Sequence, residues 1–165
     1  MRQVGSNFTR ESAAGVPRSP GRPTVLIATI DQEIREELAD LLEKATINAI
    51  WVSSVNDVKE LLAREQVVAC LCGFWLQDGT YREVIRHLRR AGMEIPAIIV
   101  SPPVCPQEYR DYLAAMNLGT LDFLSYPYQQ SDFDRLIESA VRARSRATSQ
   151  EAPPFDEPLR ERGAA

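Results

Sequence analysis

Few side chains here can do chemistry, and their spacing narrows what that chemistry is. Cys70 and Cys72 stand two apart in an apolar run, Cys105 follows later, and His87 is the single histidine. Thiolates and imidazole are zinc ligands, but Cys-x-Cys inside an apolar strand lacks the turn that structural zinc sites place between their cysteines. A disulfide is also disfavoured, because strand neighbours at i and i+2 lie roughly 6.6 Å apart along the strand. The pair is expected as reduced core thiols, with no metal site. His87 sits beside Arg86, Arg89 and Arg90 and is expected on a solvated helix face. Asp31 suits a helix N-cap, where a short acid accepts from free backbone amides. Asp78 with Gly79 suits a turn. Phe74, Trp75, Tyr126 and Tyr128 are bulky enough either to fill an interior or to anchor a partner.

Elements that would position these residues alternate five times between strand and helix patterns. Strands are expected at Val25–Ala28, Ala49–Val52, Val67–Cys72, Ala97–Val100 and Phe123–Ser125. The first helix follows Asp31, with Ile34, Leu38, Leu41, Leu42 and Ala45 at helical spacing. Ser54 with Asp57 and Thr80 with Glu83 are spaced as capping boxes for the second and third helices, and Gly92 is placed to stop the third. A fourth helix is expected from about Gln107 to Met116. A fifth, capped by Ser131 with Asp134, should bury Phe133, Leu136, Ile137, Ala140 and Val141, with Arg142, Arg144 and Arg146 in its last turn. Such alternation predicts an α/β fold, a flavodoxin-like (βα)5 three-layer sandwich with a parallel sheet in the order 2-1-3-4-5. A site in such a sheet lies beyond the carboxyl ends of the strands, at Thr29, Ile30, Gly73, Ser101 and Tyr126.

Length and composition fit one such domain. Of 165 residues, 44% are hydrophobic and 25% charged, with no apolar run long enough for a membrane span. Residues 1–22 read as a flexible arm, 23–145 as the domain and 146–165 as a disordered tail rich in Ser, Pro, Glu and Arg. No signal-like apolar stretch follows the N-terminal arginines, so a cytoplasmic location is expected. A net charge of −4 argues against nucleic acid as a partner.

Four segments together carry a family resemblance. Val25-Leu-Ile-Ala-Thr-Ile-Asp31, Gly73-Phe-Trp-Leu-Gln-Asp-Gly79, Ala97-Ile-Ile-Val-Ser101 and Gly119-Thr-Leu-Asp-Phe-Leu-Ser-Tyr-Pro-Tyr128 are spaced as in bacterial response regulators. Across roughly Thr24 to Arg144 the chain resembles their receiver domain, in a degenerate, pseudo-receiver form. In that family two acids after the first strand hold Mg2+, an aspartate after the third accepts phosphate, and a hydroxyl and a lysine contact the phosphoryl group. At the matching positions stand Thr29 and Ile30, Gly73, Ser101 and Tyr126. Only Ser101 keeps its chemistry. The resemblance thus implies no phosphotransfer, no cofactor and no catalysis, with Asp31 and Asp78 considered as substitute acceptors and set aside as cap and turn. It also implies a cis bond at Tyr126-Pro127.

The function expected is phosphorylation-independent interaction with a signalling partner, or with a second copy. The contact residues expected are Tyr109, Tyr112, Phe123, Tyr126 and Arg135 on the face of the fourth helix, fifth strand and fifth helix. The alternative is a small-ligand sensor using the reshaped pocket. Against it, Ala28-Thr-Ile-Asp31 has neither the glycines of a dinucleotide loop nor a hydroxyl-rich flavin loop.

Overall fold

The computed structural model describes residues 18–103, 110, 114, 117–118 and 122–150. Its elements in chain order are β1 (Thr24–Ala28), α1 (Gln32–Ala45), β2 (Asn48–Val52), α2 (Val55–Leu62), β3 (Ala69–Gly73), β4 (Trp75–Leu76), β5 (Gly79–Thr80), α3 (Tyr81–Arg90), β6 (Ala97–Val100), β7 (Asp122–Leu124) and α4 (Gln130–Gln150). Five parallel strands form one sheet in the order β2-β1-β3-β6-β7. That is the expected flavodoxin-like order, with the short β4-β5 hairpin lying outside the sheet.

Strand residues alternate between two cores because successive side chains leave opposite faces. Leu26, Ala28, Cys70, Cys72 and Ile99 pack against Val55, Val58 and Leu62 of α2 and Val84, Ile85 and Leu88 of α3. Val25, Ile27, Leu71, Ile98 and Leu124 face Ile34, Leu38, Leu41 and Leu42 of α1 and Phe133, Leu136, Ile137 and Ala140 of α4. The sheet is therefore the middle of three layers. Its ends are fixed by caps: Asp31 accepts from the Glu33 and Ile34 amides, Ser54 from that of Asp57, and Thr80 with Glu83 forms the expected capping box. Tyr126-Pro127 is cis.

Several boundaries differ from expectation. The helix expected at Gln107–Met116 lies largely outside the described residues. α4 begins at Gln130, so Ser131 sits inside its first turn and Asp134 just past it, and they do not form its cap. It also continues to Gln150, five residues past the expected domain end, because Ala and Arg favour helix and each added residue closes one more bond. Arg142, Arg144 and Arg146 thus lie before the last turn. Arg142 pairs with Glu138 at 3.1 Å, and Arg144 donates to the Glu94 carbonyl at 3.4 Å. At the other end, Arg18 and Ser19, expected in the arm, are tied down. Arg18 pairs with Glu65 at 2.7 Å, and Ser19 exchanges hydrogen bonds with the Asn48 amide group.

Candidate functional site

Parallel strands ending side by side bring the residues that follow them together. Thr29, just past β1, is buried; its N–H donates to the Val52 carbonyl at 3.0 Å and its hydroxyl accepts from the Asp31 N–H at 3.1 Å. At the end of neighbouring β3, a Cβ on Gly73 would stand 3.0 Å from Thr29 Oγ1, 3.3 Å from Thr29 Cβ and 3.6 Å from the Ala28 carbonyl. The threonine therefore occupies the space that a side chain at position 73 would need. Ser101, past β6, is buried; its hydroxyl accepts from the Tyr126 N–H at 3.1 Å, and its carbonyl accepts from the Tyr128 phenol. The Tyr126 and Tyr128 rings meet edge to face, with centroids 5.4 Å apart. Burial, then the carboxylates of Asp31, Glu37 and Glu33, hold the Tyr128 proton on well above the ordinary phenol range.

Ile30 and Tyr126 do not cover this pocket. Ile30 is 50% exposed and Tyr126 37%. Of the aromatics, Phe74 and Tyr128 turn inward, and Phe74 packs between Tyr81 and Phe123 with centroids 5.6 and 5.8 Å away. With Phe74 filling the interior, the next residue of the extended chain leaves on the other side, and Trp75 is 59% exposed. Phe123, expected at a partner surface, is buried beside Phe74. Arg135 is exposed and pairs with Asp132 at 3.8 Å. Tyr109 and Tyr112 lie outside the described residues.

Both nearby acids serve backbone amides. Asp31 caps α1. Asp78 forms the expected turn, between β4 and β5, and its carboxylate also accepts from the Val55 and Asn56 amides at 2.5 and 3.0 Å. That second role clamps the hairpin to the start of α2. A divalent cation asks for several free oxygen donors in a compact set. A buried threonine hydroxyl already accepting, an isoleucine, a glycine and two capping carboxylates do not supply one, and no cluster of three His, Cys, Asp or Glu exists among the described residues.

Cys70 and Cys72 are buried free thiols with Sγ atoms 3.5 Å apart. Their mutual hydrogen bond and burial push Cys72 up, so it stays protonated. Cys105 lies outside the described residues. His87 is half-buried, not solvated, because it lies one turn past buried Val84 and beside Leu88 on α3. Its Nε2 is buried without a hydrogen-bond partner among the described residues; burial, then nearby Lys59, lowers its proton affinity.

No family model matches the chain. The response regulator protein PilR of Pseudomonas aeruginosa is 26% identical over 132 residues, covering 80% of this chain and 29% of that protein. The regulatory protein VirG of Agrobacterium fabrum is 29% identical over 131 residues, covering 78% of this chain and 50% of that protein. The chain thus spans half or less of the length of these curated relatives. Among solved structures, the signal receiver domain of an HD domain-containing protein from Pseudomonas fluorescens superposes with a TM-score of 0.68 at 15% identity, over 82% of this chain and 98% of that one.

Proposed function

Because the chain has the fold of a response regulator receiver domain and resembles response regulators in sequence, we propose that it is a signalling module of the degenerate, pseudo-receiver kind. It works by binding a protein partner in the cytoplasm, with no phosphotransfer and no catalysis of its own. The packing of Thr29 against Gly73 carries this reading. Gly73 stands where the resemblance puts the phosphoacceptor, it offers no nucleophile, and the Thr29 hydroxyl 3.0 Å from its missing Cβ crowds the place where one would start. Tyr126 stands where a lysine would neutralise phosphate, and Ser101 spends its hydroxyl on the Tyr126 amide. Without a phosphoryl group, phosphorylation cannot shift the domain between two states. Exposure of Ile30 and Tyr126 counts against a small-ligand pocket enclosed by these side chains.

Incubation with acetyl phosphate and magnesium, followed by intact-mass measurement, tests the proposal. The expected mass is unchanged. A stoichiometric gain of one phosphoryl group, labile to hydroxylamine, would show that Asp31 or Asp78 is an acceptor and overturn it.

A further inference from the structure

Among the described residues, the large hydrophobic side chains that stand open to solvent are Ile30, Trp75 and Tyr126. All three follow carboxyl ends of sheet strands: Ile30 after β1, Trp75 after β3 and Tyr126 after β7. At roughly 4.8 Å per strand, they fall within about 15 Å of one another across the sheet. Single surface hydrophobics are ordinary, whereas several gathered on one edge mark an interaction site. The rim of this edge is acidic. Asp31, Glu33 and Glu37 lie close enough to act on Tyr128, whose ring touches that of Tyr126. Among the described residues near this edge, Arg35 lies over the Trp51 ring and donates to the Thr29 carbonyl, Arg82 lies over Tyr81, and Arg135 pairs with Asp132.

We propose that this strand-end edge docks a protein partner whose apolar contact residues are ringed by lysine and arginine, with Ile30, Trp75 and Tyr126 as the anchors. The inference rests on the binding-module reading and moves the working surface from the α4 side to the sheet edge. Aromatic anchors supply the buried area, and the acidic rim sets the sign of the partner and speeds its approach.

The probe is a synthetic amphipathic leucine/lysine helix, with a leucine/glutamate helix as its counterpart. Since the chain has two tryptophans, a Trp51→Phe background leaves Trp75 as the reporter. Binding of the lysine peptide should shift Trp75 emission to the blue and should weaken with salt. Ile30→Ser with Tyr126→Ser should weaken it about tenfold or more, as should Glu33→Lys with Glu37→Lys. Glu94→Lys, at the opposite edge before β6, should leave it unchanged. Apart from half-buried Trp51, these substitutions fall on exposed side chains, and circular dichroism checks that each variant folds. Equal binding of the glutamate peptide, or indifference to the edge substitutions, would overturn the proposal. So would a dimer of the protein alone that Ile30→Ser with Tyr126→Ser dissolves, or binding through these residues to phosphatidylcholine vesicles. The mass measurement with acetyl phosphate is independent, so failure of this docking test with no phosphate gained overturns the surface and leaves the parent reading standing.

Discussion

At the end of β3 a missing side chain matters as much as those present. The Gly73 Cα faces Thr29 so closely that a methyl group there would meet Oγ1 at 3.0 Å and the threonine Cβ at 3.3 Å. Thr29 cannot easily yield, because its N–H and hydroxyl are both hydrogen-bonded in the turn that leads to α1. Gly73→Ala is therefore expected to cost about 1–3 kcal/mol as an overpacked core. Thr29→Ala loses an acceptor for the Asp31 amide, worth about 1 kcal/mol, but opens the space. The double variant should then lose less than the sum of the two, with a coupling of roughly 0.5–2 kcal/mol. Urea denaturation of the four proteins measures this, and additive losses would mean that Thr29 is not the obstacle. The glycine was plain in the sequence. The residue filling its space was not, because a contact between the ends of two strands leaves no mark in the local pattern of either.

Where elements have long periodic faces, the sequence and the structure agree closely. Ile34, Leu38, Leu41 and Leu42 of α1 and the apolar runs of β1, β3 and β6 define their own faces, although β3 runs Ala69–Gly73 where Val67–Cys72 is expected. The β4-β5 hairpin was illegible for the opposite reason: two strands of two residues each are too short to show a period. His87 was misread because its arginine neighbours outweighed its spacing from Val84. The hairpin is held chiefly through Asp78, which forms its turn and accepts from the first two amides of α2, while the Gln77 amide donates to the Ser53 carbonyl at 2.9 Å. Removing an N-terminal cap acceptor costs about 0.5–2 kcal/mol, and bonds to a charged acceptor lie toward the upper end. Asp78→Ala should accordingly lower stability by about 1–2 kcal/mol, and Asp78→Asn, which keeps one acceptor oxygen, should recover part of that loss. Hydrogen exchange of the Val55 and Asn56 amides should quicken in Asp78→Ala while β1 and β3 stay protected. Unchanged exchange at those two amides would show that Ser54 alone caps the helix.

On the scale of the whole molecule, three layers and one sheet order follow from alternation and crossover handedness, which is why the topology was legible from the sequence. The edge where the layers meet was only half legible, since the direction of a side chain just past a strand depends on what already fills the interior. Tyr128 shows how the layers are joined there. It is buried in the core shared by α1 and α4, its phenol donates to the carbonyl of Ser101 beyond β6, and carboxylates of α1 stand close by. Burial and those carboxylates oppose ionisation in the folded protein, whereas in the unfolded chain the phenol ionises near pH 10. Because the folded pKa is the higher one, the unfolded state binds fewer protons above pH 10, and stability falls as pH rises past that point. Tyr128→Phe removes both the hydrogen bond and the titration. At pH 7 it should be less stable than the parent by about 1 kcal/mol, and above pH 10 the gap should narrow by about 1 kcal/mol per pH unit, since one unit of pKa difference is worth 1.36 kcal/mol. Urea denaturation of both proteins between pH 8 and about pH 11 reads the gap directly, with the other tyrosines and the lysines common to both. A gap that stays constant across that range would mean that the Tyr128 phenol ionises equally well folded and unfolded, and that this junction of layers is open to water.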